Sequence, residues 1–201
     1  MNHEELLEKA RNFIKQEANV VSKLPPQLSA SVGEAVQQIA SSPGRLIVSG
    51  AGTSAYIAGR FAHLAACCEI PAFFLHPSDS LHGASGTIKP GDVVFLISKG
   101  GETAEINSLA KIAKARNAKV VVLTSNVEST LAKLGDLVLC FDVEGADPFG
   151  VLAMGSSLAN AAVTDAICVL LLEQAGFDLR RFGTIHPGGA VGHKLSRGGL
   201  P

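Results

Sequence analysis

Residues 46–60 have the sequence Leu46-Ile47-Val48-Ser49-Gly50-Ala51-Gly52-Thr53-Ser54-Ala55-Tyr56-Ile57-Ala58-Gly59-Arg60. The apolar run at the start is short and ends at a glycine-rich turn, which predicts a buried strand and a tight loop. Apolar residues then recur at helical spacing, at Ile57, Phe61, Leu64, Ala65 and Cys68. The stretch therefore predicts a strand, a loop and a helix in succession. Such a loop directs free backbone N–H groups and the positive end of the helix dipole toward a bound anion.

The same alternation of strands and helices continues through the rest of the chain. Further strands are predicted at residues 71–76, 92–98, 119–124 and 137–141, and a loop containing His82 at residues 77–86. Helices are predicted at residues 4–21, 28–40, 128–134 and 156–175, with another after the third strand. This order predicts an α/β fold with a doubly wound, five-stranded parallel sheet flanked by helices and two extra N-terminal helices. Its ligand site is expected at the carboxyl ends of the strands.

Length and composition predict one domain with a well-filled core. The chain has 201 residues, of which 47% are hydrophobic, and splitting it would leave two small domains. We expect residues 1–44 to form an N-terminal helical segment and residues 45–195 to form the sheet domain. The formal net charge is −1, which argues against a nucleic acid or an acidic membrane surface as partner.

Cysteine usage and the N-terminus predict a cytoplasmic protein. The four cysteines form no CxxC pair, which is typical of reduced thiols in a cytosol. The N-terminus is acidic and lacks the apolar core of a signal peptide. The longest apolar stretch, 158–172, contains Asn160 and Asp165. We expect it to be a buried helix, too short to span a bilayer.

Three predicted strand exits offer the same chemistry. They are Gly52-Thr53-Ser54, Ser98-Lys99-Gly100-Gly101-Glu102-Thr103 and Thr124-Ser125-Asn126. Each combines hydroxyl groups, small residues and backbone donors, which suits the three oxygens of a phosphate monoester. Serine and threonine at helix starts are also ordinary N-caps. Because parallel strands bring these exits to one edge of the sheet, we expect a shared phosphate site rather than three unrelated caps.

Three motifs resemble those of one known family. Gly-Thr-Ser after the first strand, Ser-x-x-Gly-Glu-Thr after a later strand and His186-Pro187-Gly188-Gly189-Ala190-Val191-Gly192 near the end are similar to motifs of the sugar isomerase (SIS) domain. The chain most resembles the isomerase domain of arabinose 5-phosphate isomerases, over about residues 40–195. That branch usually carries a pair of CBS domains after the isomerase domain, and we expect none because this chain stops at Pro201.

The resemblance implies an activity and roles for particular residues. It implies interconversion of an aldose phosphate and a ketose phosphate through an enediol, without cofactor or metal, in a homodimer or homotetramer. By position, Ser54, Ser98 and Thr103 are expected to bind the phosphate. Glu102 and His186 match residues needed for activity. His82 matches a histidine near the sugar, and one such histidine can come from a neighbouring subunit. The substrate-binding set is expected to include also Gly52, Thr53, Lys99, Gly100, Gly101, Thr124 and Ser125.

The sequence departs from the family pattern at charged positions. Thr53 stands where these isomerases carry a lysine, and Gly145 falls where they carry a glutamate. Glu144 is one place earlier and is a candidate substitute for that glutamate. Lys99 replaces an uncharged residue and is a candidate source of the missing positive charge. These departures leave a second hypothesis open, a sugar-phosphate-binding module without catalysis.

The sequence gives weaker support to two other kinds of site, a dinucleotide-binding site and a metal site. Gly50-x-Gly52-x-x-Ala55 fits the dinucleotide-binding pattern, but that site needs an acid at the end of the second strand, where the sequence is Leu75-His76-Pro77. His63 and Cys67 are four residues apart on a predicted helix, at the spacing of a metal-binding pair. No third ligand accompanies them, so we expect them to pack in the core.

Overall fold

The glycine-rich stretch forms a strand, a turn and a helix, in the predicted order. The computed structural model describes residues 1–196. Its strands are β1 (Leu46–Gly50), β2 (Ala72–Phe74), β3 (Val93–Ile97), β4 (Lys119–Thr124) and β5 (Leu137–Cys140). Its α-helices are α1 (His3–Ser22), α2 (Ala30–Ala40), α3 (Thr53–Cys67), α4 (Pro77–Leu81), α5 (Ala104–Ala115), α6 (Thr130–Leu134), α7 (Gly155–Ala175), α8 (Leu179–Ile185) and α9 (Gly189–Ser196). Short 3₁₀ turns lie at Pro25–Gln27, Ala84–Thr87 and Pro148–Gly150.

The five strands run parallel in one sheet, in the order β2-β1-β3-β4-β5. This is the doubly wound parallel sheet that the sequence predicts. The direction of strand addition reverses between β1 and β3, and ligands of such sheets bind at the carboxyl ends beside this reversal. Gly50 at the end of β1 pairs with Ile97 at the end of β3. The loops after these two strands therefore leave the sheet side by side, about 4.8 Å apart.

Helices cover both faces of the sheet because the central strands are apolar on both sides. All five residues of β3 are buried. On one face α2, α3 and α7 pack on the sheet, and the Phe61 ring meets the Phe95 ring edge-on with centroids 5.0 Å apart. On the other face α5 and α6 bury Ile106, Leu109 and Leu131. The result is a three-layer sandwich whose loops are free to form a site at one edge.

Helix α7 is longer than the apolar stretch that predicts it. Its 21 residues are long and apolar enough to cross a membrane by length and composition alone, so the expectation that this segment is too short was wrong. Ala159, Val163 and Ile167 are nevertheless buried in the core against the sheet. Helix α1 lies on α7, and within residues 1–196 no residue of α1 is fully buried.

The segment after β2 differs from the predicted loop. Residues Pro77–Leu81 form α4, and Ser80 Oγ donates a hydrogen bond of 2.6 Å to the Pro77 carbonyl. Proline at the first helical position favours this turn, because its fixed φ is already helical and its missing N–H would have no acceptor there. His82 follows as the C-cap residue of α4.

Candidate functional site at the carboxyl edge of the sheet

The loop between β1 and α3 depends on close contact between its backbone and the helix. A Cβ atom on Gly50 would lie 2.6 Å from the Ser54 carbonyl oxygen, so only glycine allows this approach. Gly52 is the N-cap residue of α3 with φ of 57°. Thr53 is exposed and Ser54 is half-buried in the first turn, where backbone N–H groups have no acceptor within the helix. The loop therefore presents unused donors at the carboxyl edge.

The loop between β3 and α5 brings two predicted phosphate ligands into contact. Ser98 Oγ lies 3.2 Å from Thr103 Oγ1 and accepts a 3.2 Å hydrogen bond from the Gly101 N–H. Thr103 is the N-cap residue of α5, a helix of 12 residues. Gly101 has φ of 70°, and the Ser129 hydroxyl occupies the place of a side chain there. The two hydroxyl groups thus meet at the positive end of a helix, a favourable place for an anion.

Thr124 supports this loop instead of opening toward a ligand. Its side chain is buried, with the residue 2% exposed, and Oγ1 donates a 3.0 Å hydrogen bond to the Lys99 carbonyl. The same hydroxyl accepts from the Asn126 N–H at 3.3 Å. The structure thus gives Thr124 a supporting contact, and its direct role in ligand binding stays a prediction. Ser125 also holds the Lys99 carbonyl through its N–H, at 2.9 Å, and its half-buried side chain lines an open cleft.

A cleft of about 340 Å³ opens beside the β3–α5 loop. It is lined by Lys99, Ser125, Asp142, Val143, Glu144, Gly145, Asp147 and Gly150. The structure thus brings Glu144, the candidate substitute for the family glutamate, into the same cleft as Lys99. The Glu144 N–H donates a 2.8 Å hydrogen bond to Asp142 Oδ1, which orders the backbone at this point. The Glu144 side chain is exposed.

Lys99 is paired with a buried carboxylate that was not among the predicted site residues. Its Nζ lies 2.7 Å from Asp147 Oδ2, and the Asp147 side chain is only 1% exposed. Burial opposes ionisation of Asp147, but hydrogen bonds from Lys99 and Ser156 more than offset it and hold the pKa of the carboxyl below its usual value. The role of Lys99 as the source of the missing positive charge stays a prediction, and the structure adds that its ammonium is paired with Asp147. The only sequence signal for Asp147 is its place in the polar loop after β5.

Glu102 contacts a neighbouring helix. Its Oε1 accepts a 2.8 Å hydrogen bond from the Thr130 N–H, at the start of α6. This bond, together with the Thr130 hydroxyl and the nearby Lys133 charge, lowers the pKa of the Glu102 carboxyl. A carboxylate with a lowered pKa is a weaker base at neutral pH. The structure therefore assigns Glu102 a helix-capping contact, and its catalytic role stays a prediction.

His186 lies away from the phosphate loops of its own chain. Its ring stacks on Phe182 with centroids 5.2 Å apart, and its buried Nδ1 has no hydrogen-bond partner among the described residues. It faces a separate cavity of about 450 Å³ between α3, α7 and α8. His63 also lines that cavity, and nine residues of helix place it about 14 Å along α3 from Ser54. Within one chain, His186 and the phosphate loops therefore do not form one site.

The remaining predicted residues have simpler positions. His82 is exposed at the end of α4, and Gly100 is exposed in the β3–α5 loop. His63 Nε2 lies 3.8 Å from Cys67 Sγ. The expectation that this pair packs in the core was wrong, because His63 is exposed and both side chains line the cavity near His186. Among the described residues, no group of three potential ligands could hold a metal ion.

Comparisons with known proteins agree with this architecture. The SIS domain family profile matches residues 38–170. The arabinose 5-phosphate isomerase KdsD of Yersinia pestis is 34% identical over 186 residues, which are 92% of this chain and 57% of that protein. KdsD of Shigella flexneri is 38% identical over 153 residues, 76% of this chain and 47% of that protein. The chain thus spans about half the length of these curated relatives.

One solved structure matches nearly the whole length of this chain. The Escherichia coli CFT073 protein c3406, solved in complex with arabinose 5-phosphate, superposes with a TM-score of 0.89 at 30% identity, covering 93% of this chain and 100% of that one. Its fold is the three-layer sandwich described above. The profile match, the sequence relatives and this superposition lead to one conclusion: the chain belongs to the SIS domain family.

Proposed function

We propose that this protein is an isomerase that interconverts an aldose phosphate and a ketose phosphate, with arabinose 5-phosphate as a candidate substrate. The observation that carries the proposal is the contact of Ser98 with Thr103 at the start of α5, one residue from a cleft that contains Glu144. A phosphate group and a reactive sugar carbon would occupy adjoining places in such a site. The similarity to a protein solved with arabinose 5-phosphate supports the choice of substrate.

The phosphate end of the substrate binds where hydroxyl and backbone donors meet. Ser54 contributes from the first turn of α3, and Ser98 and Thr103 contribute from the start of α5. Gly52 and Gly100 leave room for the phosphate oxygens because both are exposed and lack side chains. Two helix N-termini at one edge of the sheet also favour a doubly charged ester electrostatically.

The sugar end of the substrate extends into the cleft, where Glu144 acts as the base. Isomerisation through an enediol needs a base that takes a proton from the carbon beside the carbonyl and returns it to the neighbouring carbon. A second group moves a proton between the two sugar oxygens. We assign that step to His186 or His82 of a neighbouring subunit, since His186 lies away from the cleft of its own chain.

Exposed apolar residues support the oligomer that this assignment needs. Leu6, Leu7 and Ile14 of α1 are each at least 47% exposed, and α7 and α8 add Val169, Leu170, Leu179 and Ile185. Large exposed apolar surfaces mark contacts with other molecules. A homodimer or homotetramer would cover them and bring one subunit's histidine toward another's cleft.

The experiment measures isomerisation of arabinose 5-phosphate and of a panel of pentose and hexose phosphates. We expect Glu144→Gln to lower kcat by about 10²-fold to 10⁴-fold, the usual effect of removing a general base. Glu34→Gln, at an exposed position on α2, is the matched control and should keep full activity. Turnover of none of the substrates by the folded protein would refute the isomerase.

A non-catalytic sugar-phosphate-binding module is the second candidate. Thr53 and Gly145 at positions where the resembled isomerases carry charges favour it, as does the capping contact of Glu102. It predicts that sugar phosphates raise the melting temperature without being converted. It also predicts that Ser98→Ala abolishes this shift, whereas Glu144→Gln leaves it intact.

A further inference from the structure

We propose that Asp147 is a positioning residue, which holds the Lys99 ammonium over the cleft and ties the phosphate loop to the loop that carries Glu144. The inference rests on the proposed function for its catalytic consequence. The ion pair itself is a contact between loops that are 48 residues apart in the chain.

Asp147 is held by a full set of hydrogen bonds. Oδ2 accepts from Lys99 Nζ at 2.7 Å and from Ser156 Oγ at 2.6 Å. Oδ1 accepts from the Met154 N–H at 3.0 Å and the Ser156 N–H at 2.9 Å. Three of the four donors belong to the start of α7, so the carboxylate is fixed to a core helix. A buried carboxylate with these partners is a rigid support for a lysine.

The Lys99 ammonium can donate hydrogen bonds to a ligand in addition to its bond with Asp147. An ammonium group carries three N–H donors, and the contact with Asp147 uses one of them. The Lys99 side chain is 40% exposed and lines the cleft together with Ser125 and Glu144. Its backbone carbonyl is fixed by Thr124 and Ser125. The ammonium can therefore donate to a sugar oxygen or to a developing oxyanion while it remains on Asp147.

The pair also sets the distance between the two halves of the site. On one side, Lys99 follows Ser98 directly in the phosphate loop. On the other side, Asp147 follows Glu144 by three residues, in a segment where Gly145 and Gly150 both have positive φ. Glu144, Gly145, Phe149 and Gly150 are exposed, whereas Val143 and Ala146, on either side of Glu144 and Gly145, are buried in the core. Loss of the ion pair would therefore leave the backbone of both loops in place but release the Lys99 ammonium from its position over the cleft.

The test is a double-mutant cycle with Lys99→Met, Asp147→Asn and the double variant. Each single change should lower kcat by about 10-fold to 100-fold, the effect of losing one hydrogen bond to a charged group. The dissociation constant for inorganic phosphate, measured by calorimetry, should change by less than about threefold, because Ser98 and Thr103 stay in place. The double variant should be no worse than the more damaged single variant, because the two residues act as a unit.

Conservative variants and a second ion pair separate positioning from general stability. Lys99→Arg should restore part of kcat, because a guanidinium also pairs with carboxylates. Lys114 and Asp136 form a pair of 2.8 Å between α5 and the start of β5, away from the carboxyl edge. Lys114→Met and Asp136→Asn should therefore leave kcat unchanged while they lower the melting temperature.

The outcomes distinguish this inference from the proposed function. If the wild-type protein isomerises sugar phosphates but the two single effects multiply in the double variant, Asp147 does not act through Lys99 and the inference is overturned. The same holds if Asp147→Asn keeps full kcat. If the wild type binds arabinose 5-phosphate but converts neither it nor any other sugar phosphate of the panel, the isomerase is refuted. The cycle is then measured on the dissociation constant of that ligand, where additive effects overturn the inference and non-additive effects support it.

Discussion

Replacing Gly101 with alanine should lower the free energy of unfolding by about 2–5 kcal/mol. A non-glycine residue in the left-handed region costs about 1–2 kcal/mol, and Gly101 has φ of 70°. The new Cβ would also lie 2.1 Å from Ser129 Oγ and 2.4 Å from Ser129 Cβ. Relief of such overpacking typically costs about 1–3 kcal/mol. The sum of the two ranges gives the predicted loss.

The same substitution should weaken phosphate binding. The Gly101 N–H donates to Ser98 Oγ, and the Gly101 carbonyl accepts from the Leu131 N–H at 3.0 Å. A shift of Gly101 away from Ser129 would therefore move the Ser98 hydroxyl and the start of α5 together. We expect the rise in melting temperature caused by inorganic phosphate to be lost in Gly101→Ala.

Urea unfolding followed by circular dichroism measures the effect on stability. Gly100→Ala is the matched control, because a Cβ atom on Gly100 would meet no heavy atom within 4 Å and the φ of Gly100 is not positive. It should change stability by less than about 1 kcal/mol. Ser129→Gly removes the clash but keeps the strained φ, and it also removes the hydrogen bond that Ser129 Oγ accepts from the Ala132 N–H. Gly101→Ala should therefore cost less in the Ser129→Gly background than in the wild type, by the overpacking share of about 1–3 kcal/mol. A loss below about 1 kcal/mol in Gly101→Ala, or an equal loss in the two backgrounds, would refute this reasoning.

Three further predictions concern charge, catalysis and thiol reactivity. Asp92, 1% exposed and paired with Arg45 at 2.9 Å, has a pKa below its usual value because hydrogen bonds from Arg45 and Lys89 outweigh the opposing effect of burial. The stabilisation that the ionised Asp92 carboxyl gives to the folded state is therefore complete above the ordinary carboxyl pKa of about 3.9. It is lost as the pH falls through the lower pKa that Asp92 has in the folded protein. The free energies of unfolding of Asp92→Asn and wild type, measured in urea, should thus differ by about 1–3 kcal/mol at pH 7 and converge at lower pH; a constant difference would contradict this. Either His186→Ala or His82→Ala should abolish turnover without changing the affinity for arabinose 5-phosphate, and mixing that variant with Glu144→Gln subunits should restore part of the activity if the two residues act across an interface. A hydrogen bond to Cys68 and burial raise the pKa of the Cys168 thiol, so iodoacetamide should label Cys67 before Cys168, as peptide mass spectrometry would reveal.

Local patterns were sufficient to predict most of the fold. The continuous apolar run at residues 92–98 predicts β3, and the observed strand, Val93–Ile97, is buried throughout. Glycines at positions 50 and 52 predict the turn into α3, because the close approach at Gly50 leaves no room for a Cβ atom and the positive φ of Gly52 strains any other residue. Helix α4, which begins at Pro77, was not predicted. It has only five residues, too few to show a helical period in the sequence.

Individual contacts of the site depended on residues far apart in the chain. The sequence by itself determined that the strands alternate with helices and that hydroxyl-rich loops follow β1, β3 and β4, since both are properties of neighbouring residues. Only the tertiary structure decided that Lys99 pairs with Asp147, that Thr124 supports a carbonyl, and that His186 lies on Phe182 away from the phosphate loops. The physical reason is that strand order and loop packing, rather than spacing along the chain, determine which polar groups reach hydrogen-bond distance.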